Sequence, residues 1–221
     1  MRKYAVTGMA LFLSIGVLSG CGKITSLVKD SVTNLEETEN EEQELDEFED
    51  VTIDLECADI TIKRGESYHL NISRTENYKL STKVDDKKLE IHSAEDVSGK
   101  NGYSATVTIN VPKDTELNDM KINLGVGDFS LKGITAAKLN DTQAVGDLMI
   151  KKCDIADTRI KADVGDVLFE NSNSLDNTTY SLTTDVGTIK FFGERKDSPC
   201  ETGAGDKTVN VKISVGDISM E

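Results

Sequence analysis

The stretch Asp163-Val-Gly-Asp-Val-Leu-Phe169 decides the fold, because close copies of it recur through the second half of the chain. Each copy has Val-Gly followed by Asp or Thr, and then two apolar residues that flank one further residue. The valines of successive copies lie 19, 19, 22 and 29 residues apart. A period near 20 with one strand-turn-strand unit in each copy is typical of a β-solenoid. The other four copies are residues 125–131, 144–150, 185–191 and 214–220.

The repeat also suggests how each coil turns a corner. Glycine adopts the positive φ that a sharp corner needs, and aspartate accepts hydrogen bonds from backbone N–H groups exposed in that turn. The apolar residues after the corner, such as Phe129 and Leu131, are predicted to point inward. One coil of about 20 residues buries too little surface alone, so at least three coils must stack. The predicted corner glycines are Gly127, Gly146, Gly165, Gly187 and Gly216.

Short strands are also predicted before the repeat. Residues 51–55, 60–62, 69–72, 80–84, 89–91 and 106–111 alternate apolar with polar side chains and are separated by turn-forming residues,. Such short strands with short turns predict an antiparallel meander across residues 51–112. Within it, Cys57-Ala-Asp-Ile-Thr-Ile62 resembles the repeat unit, with alanine at the glycine position. We therefore expect an all-β body, 51–221, in which a meander runs into the solenoid.

The repeated Val-Gly-Asp units, the strand-rich section before them and the Val111-Pro-Lys-Asp114 junction resemble a bacterial family. It is the β-strand-repeat domain of unknown function labelled "putative adhesin", which includes an accessory protein of the Lia cell-envelope stress operon. The resemblance covers about residues 51–221 and implies a β-solenoid with no catalytic residues. Thr188 replaces aspartate in the fourth copy, and the longer spacing before the last copy breaks the period.

The first 20 residues have the three parts of a secretory signal peptide. Arg2 and Lys3 precede an apolar run from Ala5 to Val17, which is followed by Leu-Ser-Gly-Cys21,. That ending resembles the lipobox of bacterial lipoproteins, in which the cysteine thiol accepts a diacylglyceryl group. We therefore expect cleavage after residue 20 and lipidation, including a palmitate-type acyl chain, at Cys21, which places the protein on the extracytoplasmic face of the cell membrane.

Residues 21–50 are predicted to form an acidic tether, because 10 of the 15 residues from Glu36 to Asp50 are acidic,. The whole chain has a formal charge of −15, and removal of residues 1–20 makes it −17. That charge argues against nucleic acid and against an anionic lipid surface as partners. The expected partners are the membrane, through Cys21, and an envelope protein or glycan.

The aspartates of the repeat raise a metal-binding alternative. In a solenoid, carboxylates at successive corners lie about 5 Å apart, and a cation would relieve their repulsion. A calcium-binding surface module is therefore one alternative function, while a purely structural corner, with each aspartate bonding its own turn, is the other interpretation. The candidate residues are Asp128, Asp147, Asp166 and Asp217, with Asp206 as a possible fifth.

An enzyme of the β-helix polysaccharide-acting type is a further alternative. The solenoid section contains only Arg159 and Arg195 as arginines, His69 and His92 lie in predicted strands, and no serine has a nucleophile-elbow context,. We therefore expect no catalysis and no cofactor, and favour adhesion, scaffolding or an accessory role in envelope stress. Three further cysteines, Cys57, Cys153 and Cys200, leave open whether one disulfide forms,.

Overall fold

The computed structural model describes residues 38–94, 102–173 and 175–221. The predicted signal peptide and Cys21 lie outside the described residues. Almost all regular structure in the described part is β-strand, with a single 3-10 turn at Leu175–Asn177, which confirms the predicted all-β class. The strands are β1 (Thr38–Glu44), β2 (Asp50–Gly65), β3 (His69–Thr75), β4 (Leu80–Asp85), β5 (Lys88–Ser93), β6 (Ala105–Pro112), β7 (Glu116–Val126), β8 (Phe129–Lys132), β9 (Thr135–Val145), β10 (Leu148–Lys151), β11 (Asp154–Val164), β12 (Val167–Glu170), β13 (Thr178–Val186), β14 (Ile189–Phe191), β15 (Glu194–Lys196), β16 (Cys200–Thr202), β17 (Lys207–Val215) and β18 (Ile218–Met220).

The strands form two sheets that are joined by sharp corners. Sheet A contains β1, β3, β6, β8, β10, β12, β14, β15 and β18, and sheet B contains β4, β5, β7, β9, β11, β13, β16 and β17. The long strand β2 bends, so that its first half lies in sheet B and its second half in sheet A. One coil is an arm in sheet B, a corner and an arm in sheet A. In chain order the coils are β2, β5–β6, β7–β8, β9–β10, β11–β12, β13–β14 and β17–β18.

The coils do not stack in chain order. Coil β5–β6 lies outside β2, because β2 pairs with β5 and β6 on one side and with β7 and β8 on the other. At the other end, coil β17–β18 inserts between β11–β12 and β13–β14. The order in space is therefore β5–β6, β2, β7–β8, β9–β10, β11–β12, β17–β18 and β13–β14. This exchange accompanies the irregular spacing of the last two repeat copies.

The predicted antiparallel meander is wrong for the strands that form coils. The strands themselves fall close to where alternation placed them, but β2 runs parallel to β5, β6, β7 and β8. Antiparallel pairing is found at the ends of the stack, where β3 covers β6, β4 covers β5, β15 covers β14 and β16 covers β13. A parallel pair requires a long connection, and β3 and β4 lie in the connection between β2 and β5.

The acidic segment differs from the predicted tether from Thr38 onward. Strand β1 pairs antiparallel with β3 at the edge of sheet A, and Leu45 donates its backbone N–H to the Tyr68 carbonyl oxygen. Phe48 is fully buried, with its ring 4.9 Å from that of Tyr68. The physical reason is that the unpaired edge of β3 offers backbone partners that an acidic segment can bond without burying its carboxylates. The folded body therefore begins before residue 51.

The core is the space between the two sheets. The inward residues predicted from the repeat, including Phe129, Leu131, Val167 and Phe169, are almost completely buried. In sheet A one continuous inward row runs along the stack through Ile60, Phe129, Leu148, Val167, Ile218 and Ile189. Among the described residues, no helix has the length and apolar character needed to cross a bilayer.

Candidate functional site: the corner ridge

The corner between the two sheets repeats the same backbone geometry in five coils. Gly127, Gly146, Gly165, Gly187 and Gly216 have φ between 136° and 152°, which side-chain-bearing residues rarely adopt,. A Cβ atom on any of these glycines would lie within about 2.0 Å of the preceding corner's carbonyl oxygen in the stack. The corners thus stack so closely that only glycine fits.

The aspartate after each glycine links one corner to the next. Asp128 accepts the backbone N–H of Asp147 through Oδ1, Asp147 accepts that of Asp166, and Asp166 accepts that of Asp217, at N···O distances of 2.8 to 2.9 Å. We call this series the aspartate ladder. The interpretation that each aspartate bonds its own turn is therefore wrong, because each carboxylate bonds the turn of the neighbouring coil.

The two copies of the corner that depart from the Gly-Asp pattern lie at the two ends of the ladder. Asp59 begins it by accepting the N–H of Asp128 at 3.0 Å, so that Cys57-Ala-Asp is a true copy of the corner. Thr188 ends it, since its N–H donates to Asp217 at 2.7 Å. Coil β13–β14 is the last coil at this end of the stack, and no further corner in the described part of the chain needs an acceptor from Thr188.

Asp206, the possible fifth member, does not join the ladder. It is exposed in the turn before β17, at the opposite end of that strand from the corner. Across the described ranges, no group of three or more His, Cys, Asp or Glu side chains is arranged to hold a metal ion. The arrangement of Asp128, Asp147, Asp166 and Asp217 is therefore that of backbone acceptors, and the calcium alternative gains no support from it.

The valines of the repeat form an exposed apolar row on the same corner. In register along the stack they are Val126, Val145, Val164, Val215 and Val186. Their exposed fractions are 42, 44, 44, 44 and 63%, and they make up five of the six large hydrophobic residues exposed in the described part of the chain. Every copy of the repeat contains this valine, but the sequence pattern does not show that its side chain is exposed.

Carboxylates flank the valine row on both sides. The aspartate ladder lies toward sheet A, and Glu56, Asp163 and Asp185 occupy the position before the valine row on the sheet B side. None of these eight carboxylates forms an ion pair with a lysine, arginine or histidine of the described residues. We call the five valines and these eight carboxylates the corner ridge.

A shallow groove of about 340 Å³ lies beside the ridge on sheet B. Glu56 and Asp163 line its two ends, and between them the corresponding positions are the small residues Gly125 and Ala144. Lys161 is the basic residue in its lining. The groove is open, and its acidic side chains are Asp54, Glu56 and Asp163, so the carboxylates of the ridge border it at both ends.

A second set of polar residues, which the sequence analysis missed, lies in the core. Asp141 and Gln143 are each 2% exposed, and their side-chain polar atoms have no hydrogen-bond partner. Asp141 lies in register between Ile122 and Ile160. Burial raises the pKa of its carboxyl well above the usual range, so the protonated form is favoured,. The signal was available, since both residues interrupt an otherwise apolar inward row.

The residues considered for catalysis are dispersed. His69 lies 3.3 Å from Glu44 on the β1–β3 pair, and His92 lies 4.0 Å from Glu90 on β5. Arg159 pairs with Asp157 on the outer face of sheet B, and Arg195 lies in β15. No two of these four residues come together in one site within the described structure.

The internal cysteines are mostly enclosed. Cys153 and Cys200 are buried free thiols, and Cys57 is half-buried at the end of the valine row, in register with Val126. The Cys153 sulfur accepts the backbone N–H of Ile134 at 3.4 Å, and burial raises the pKa of its thiol. Cys153 thus has a structural place in the turn that joins β10 to β11.

The residues that form the stacked coils match a known family. The model of the Toastrack family of unknown function, DUF4097, matches residues 48–221. The chain belongs to the Toastrack family. This confirms the predicted family of β-strand repeats, and the Toastrack match begins three residues before the boundary expected from the strands. A comparison with curated proteins finds no match.

Among solved structures that resemble this chain, one has a TM-score high enough to show the same fold. A candidate cell adhesion protein from Clostridium sporogenes is 18% identical, with a TM-score of 0.61, and the alignment covers 83% of this chain and 99% of that one. A candidate adhesin from Bacteroides fragilis is 14% identical, with a TM-score of 0.41 and coverage of 84% and 97%. A candidate lipid-binding protein from Parabacteroides distasonis is 15% identical, with a TM-score of 0.34 and coverage of 83% and 96%.

Proposed function

We propose that this Toastrack protein is a lipid-anchored, non-catalytic binding module on the extracytoplasmic face of the bacterial membrane, with an adhesive or scaffolding role. The observation that carries the proposal is the corner ridge, where exposed valines and unpaired carboxylates are held on a rigid stack of coils. Isolated exposed hydrophobic residues are ordinary, but a contiguous row commonly marks an interaction surface. The Clostridium sporogenes protein, which has the same fold, is named for cell adhesion.

Attachment through Cys21 is the second part of the proposal and is supported by the lipobox-like ending of the signal peptide. The resemblance to the Lia accessory protein suggests cell-envelope stress as the biological setting. The −17 charge of the processed chain keeps its body away from an anionic membrane surface,.

Anchoring is tested in cells fed an alkyne analogue of palmitate. Wild-type protein and the Cys57→Ser control should both be labelled and found with membranes, whereas Cys21→Ser should be unlabelled and lost from the membrane fraction. Equal labelling of Cys21→Ser would contradict anchoring at this residue.

Binding is tested in the same cells by placing a photo-crosslinking amino acid at Val145 on the ridge, Thr108 on sheet A or Thr183 on sheet B. Crosslinks from at least one position to another envelope component are expected. Their absence from all three positions, with anchoring intact, would overturn the binding role.

A further inference from the structure

We propose that the corner ridge binds an extended, cationic segment of another polypeptide, in which basic side chains alternate with apolar ones. This inference rests on the proposed function, because it names the surface and the partner of the same binding module. Three properties of the ridge support it. They are the row of exposed valines, the carboxylates that form no ion pair in the described structure, and the backbone N–H groups that are already hydrogen-bonded.

The apolar row sets the size of the partner. Five valines on neighbouring strands span four intervals of about 4.8 Å, which is on the order of 19 Å. An extended segment rises about 3.3 Å per residue, so roughly six residues cover the row. Because each of the five valines is between 42 and 63% exposed, the row is open to solvent along its length.

The charge of the ridge selects the kind of partner. Eight carboxylates flank the valines, and Lys161 and Lys212, one row away on sheet B, make no ion pair with them in the described structure. Basic side chains on a partner would relieve the repulsion between these carboxylates. A second copy of the processed chain, with a net charge of −17, would add to the repulsion.

The backbone of the ridge excludes strand addition as the binding mode. Gly127 donates its N–H to Val145, Gly146 to Val164, and Gly165 to Val215, all at 2.9 to 3.0 Å. The aspartate ladder satisfies the next N–H of each corner. A partner therefore contacts the ridge through side chains, with its apolar residues on the valines and its basic residues on the carboxylates.

The test uses the full lipidated protein in nanodiscs of neutral lipid and an eight-residue fluorescent peptide of alternating Lys and Val. Peptides of alternating Lys and Ser, and of alternating Glu and Val, are the matched probes. The Lys-Val peptide should bind at least fivefold more tightly than either, and added salt should weaken it.

Two variants locate the binding on the ridge. Asp147→Asn/Asp166→Asn removes two charges but retains an acceptor oxygen for the ladder, and Val145→Thr/Val164→Thr retains side-chain shape. Each should weaken Lys-Val binding at least fivefold, with unfolding curves showing that both remain folded. Glu76→Gln/Glu201→Gln, which removes two charges elsewhere, should change binding less than twofold.

Two results would overturn the proposal. One is equal binding of the Lys-Ser and Lys-Val peptides, and the other is equal affinity of the ridge and control charge variants. Either result would leave the broader binding role standing if crosslinks from Thr108 or Thr183 persist in cells. Loss of all in-cell crosslinks, by contrast, would remove the proposed function itself.

Discussion

Asp217 accepts a hydrogen bond from the backbone N–H of Thr188, a residue that precedes it by 29 positions in the chain. The contact exists because the last coil, β17–β18, inserts inside coil β13–β14. Thr188 consequently lies at the end of the aspartate ladder, where no further corner of the described chain donates a backbone N–H to it. The one copy of the repeat without aspartate is the copy that does not need it.

The ladder predicts that substitutions of its residues lower the free energy of unfolding by different amounts. Asp166→Ala should lower the free energy of unfolding by about 1 kcal/mol, because the N–H of Asp217 loses its partner at 2.8 Å,. Asp166→Asn should cost less, since an amide oxygen can accept the same bond. Thr188→Ala is the matched control and should change stability by less than about 0.5 kcal/mol. Denaturant unfolding measures all three, and equal losses for Asp166→Ala and Thr188→Ala would show that the ladder does not stabilise the stack.

Close stacking of the corners predicts that Gly165→Ala is severely destabilising. The new Cβ would lie 1.9 Å from the Gly146 carbonyl oxygen, so the stack would have to open, at a cost of roughly 4 kcal/mol or more,. Gly193→Ala is the control, because it introduces backbone strain without a steric clash. Gly193 also has a positive φ, of 85°, but a Cβ there meets nothing within 4 Å, and the cost should be about 1 kcal/mol,. Similar melting temperatures for the two variants would rule out the steric explanation.

Alternation and the repeat were sufficient to predict strands, inward residues and corner glycines. These features depend on local geometry, because the period-2 alternation of a strand determines on which face of the sheet each side chain lies. The direction and neighbours of a strand depend instead on how coils stack. Nothing within β5 or β6 indicates that they lie outside β2, and nothing within β17 indicates that it lies inside β13. The antiparallel assignment of residues 51–112 failed for this reason.

In the candidate site, too, the sequence predicts the features that depend on local geometry but not those that depend on how the coils stack. Asp128 and Asp147 were identified from the repeat, but the residue that each carboxylate bonds became evident only from the stacked corners. The exposure of Val145 also escaped the sequence, because a valine in a strand is ordinarily interpreted as a core residue. At a sharp corner the chain has no opposite sheet to cover that side chain.

The buried carboxyl of Asp141 predicts a specific pH dependence. Its pKa is raised in the folded state, so the folded state holds the proton more tightly than the unfolded state, whose pKa is about 3.9,. The resulting stability is present below about pH 4 and is lost as the pH rises toward the folded-state pKa, by up to about 1.4 kcal/mol per pH unit. Asp141→Leu removes this loss. In denaturant unfolding, the difference in free energy of unfolding between the variant and the wild type should therefore grow between pH 4 and 7.

Gln143→Leu is the control for that experiment. Gln143 is as buried as Asp141 and also lacks side-chain partners, but it does not ionise. Its replacement should raise stability by about 1–3 kcal/mol, equally at every pH, because the cost of an unpaired buried amide disappears. A pH-independent gain for Asp141→Leu as well would show that Asp141 is not protonated on folding.

The edge strand β1 should open independently of the stack. Its side chains Glu41 and Gln43 lie opposite the buried Ile72 and Leu70 but contribute no apolar surface. What holds β1 is its backbone pairing and ion pairs such as that of Glu39 with Arg74. Few apolar contacts mean a low local opening free energy, so β1 amides should exchange with deuterium well before those of β2.

Arg74→Gln tests the contribution of the ion pair to this edge. The variant should speed exchange in β1 severalfold and leave the amides of β2 unchanged, because opening stops where Phe48 is buried against Tyr68. Lys83→Gln, which breaks an exposed pair with Asp85 on β4, is the matched control and should leave β1 unaffected. Exchange of β1 and β2 at one common rate would mean that the edge strand unfolds only with the whole body, and residues 38–44 could then not lengthen the proposed tether.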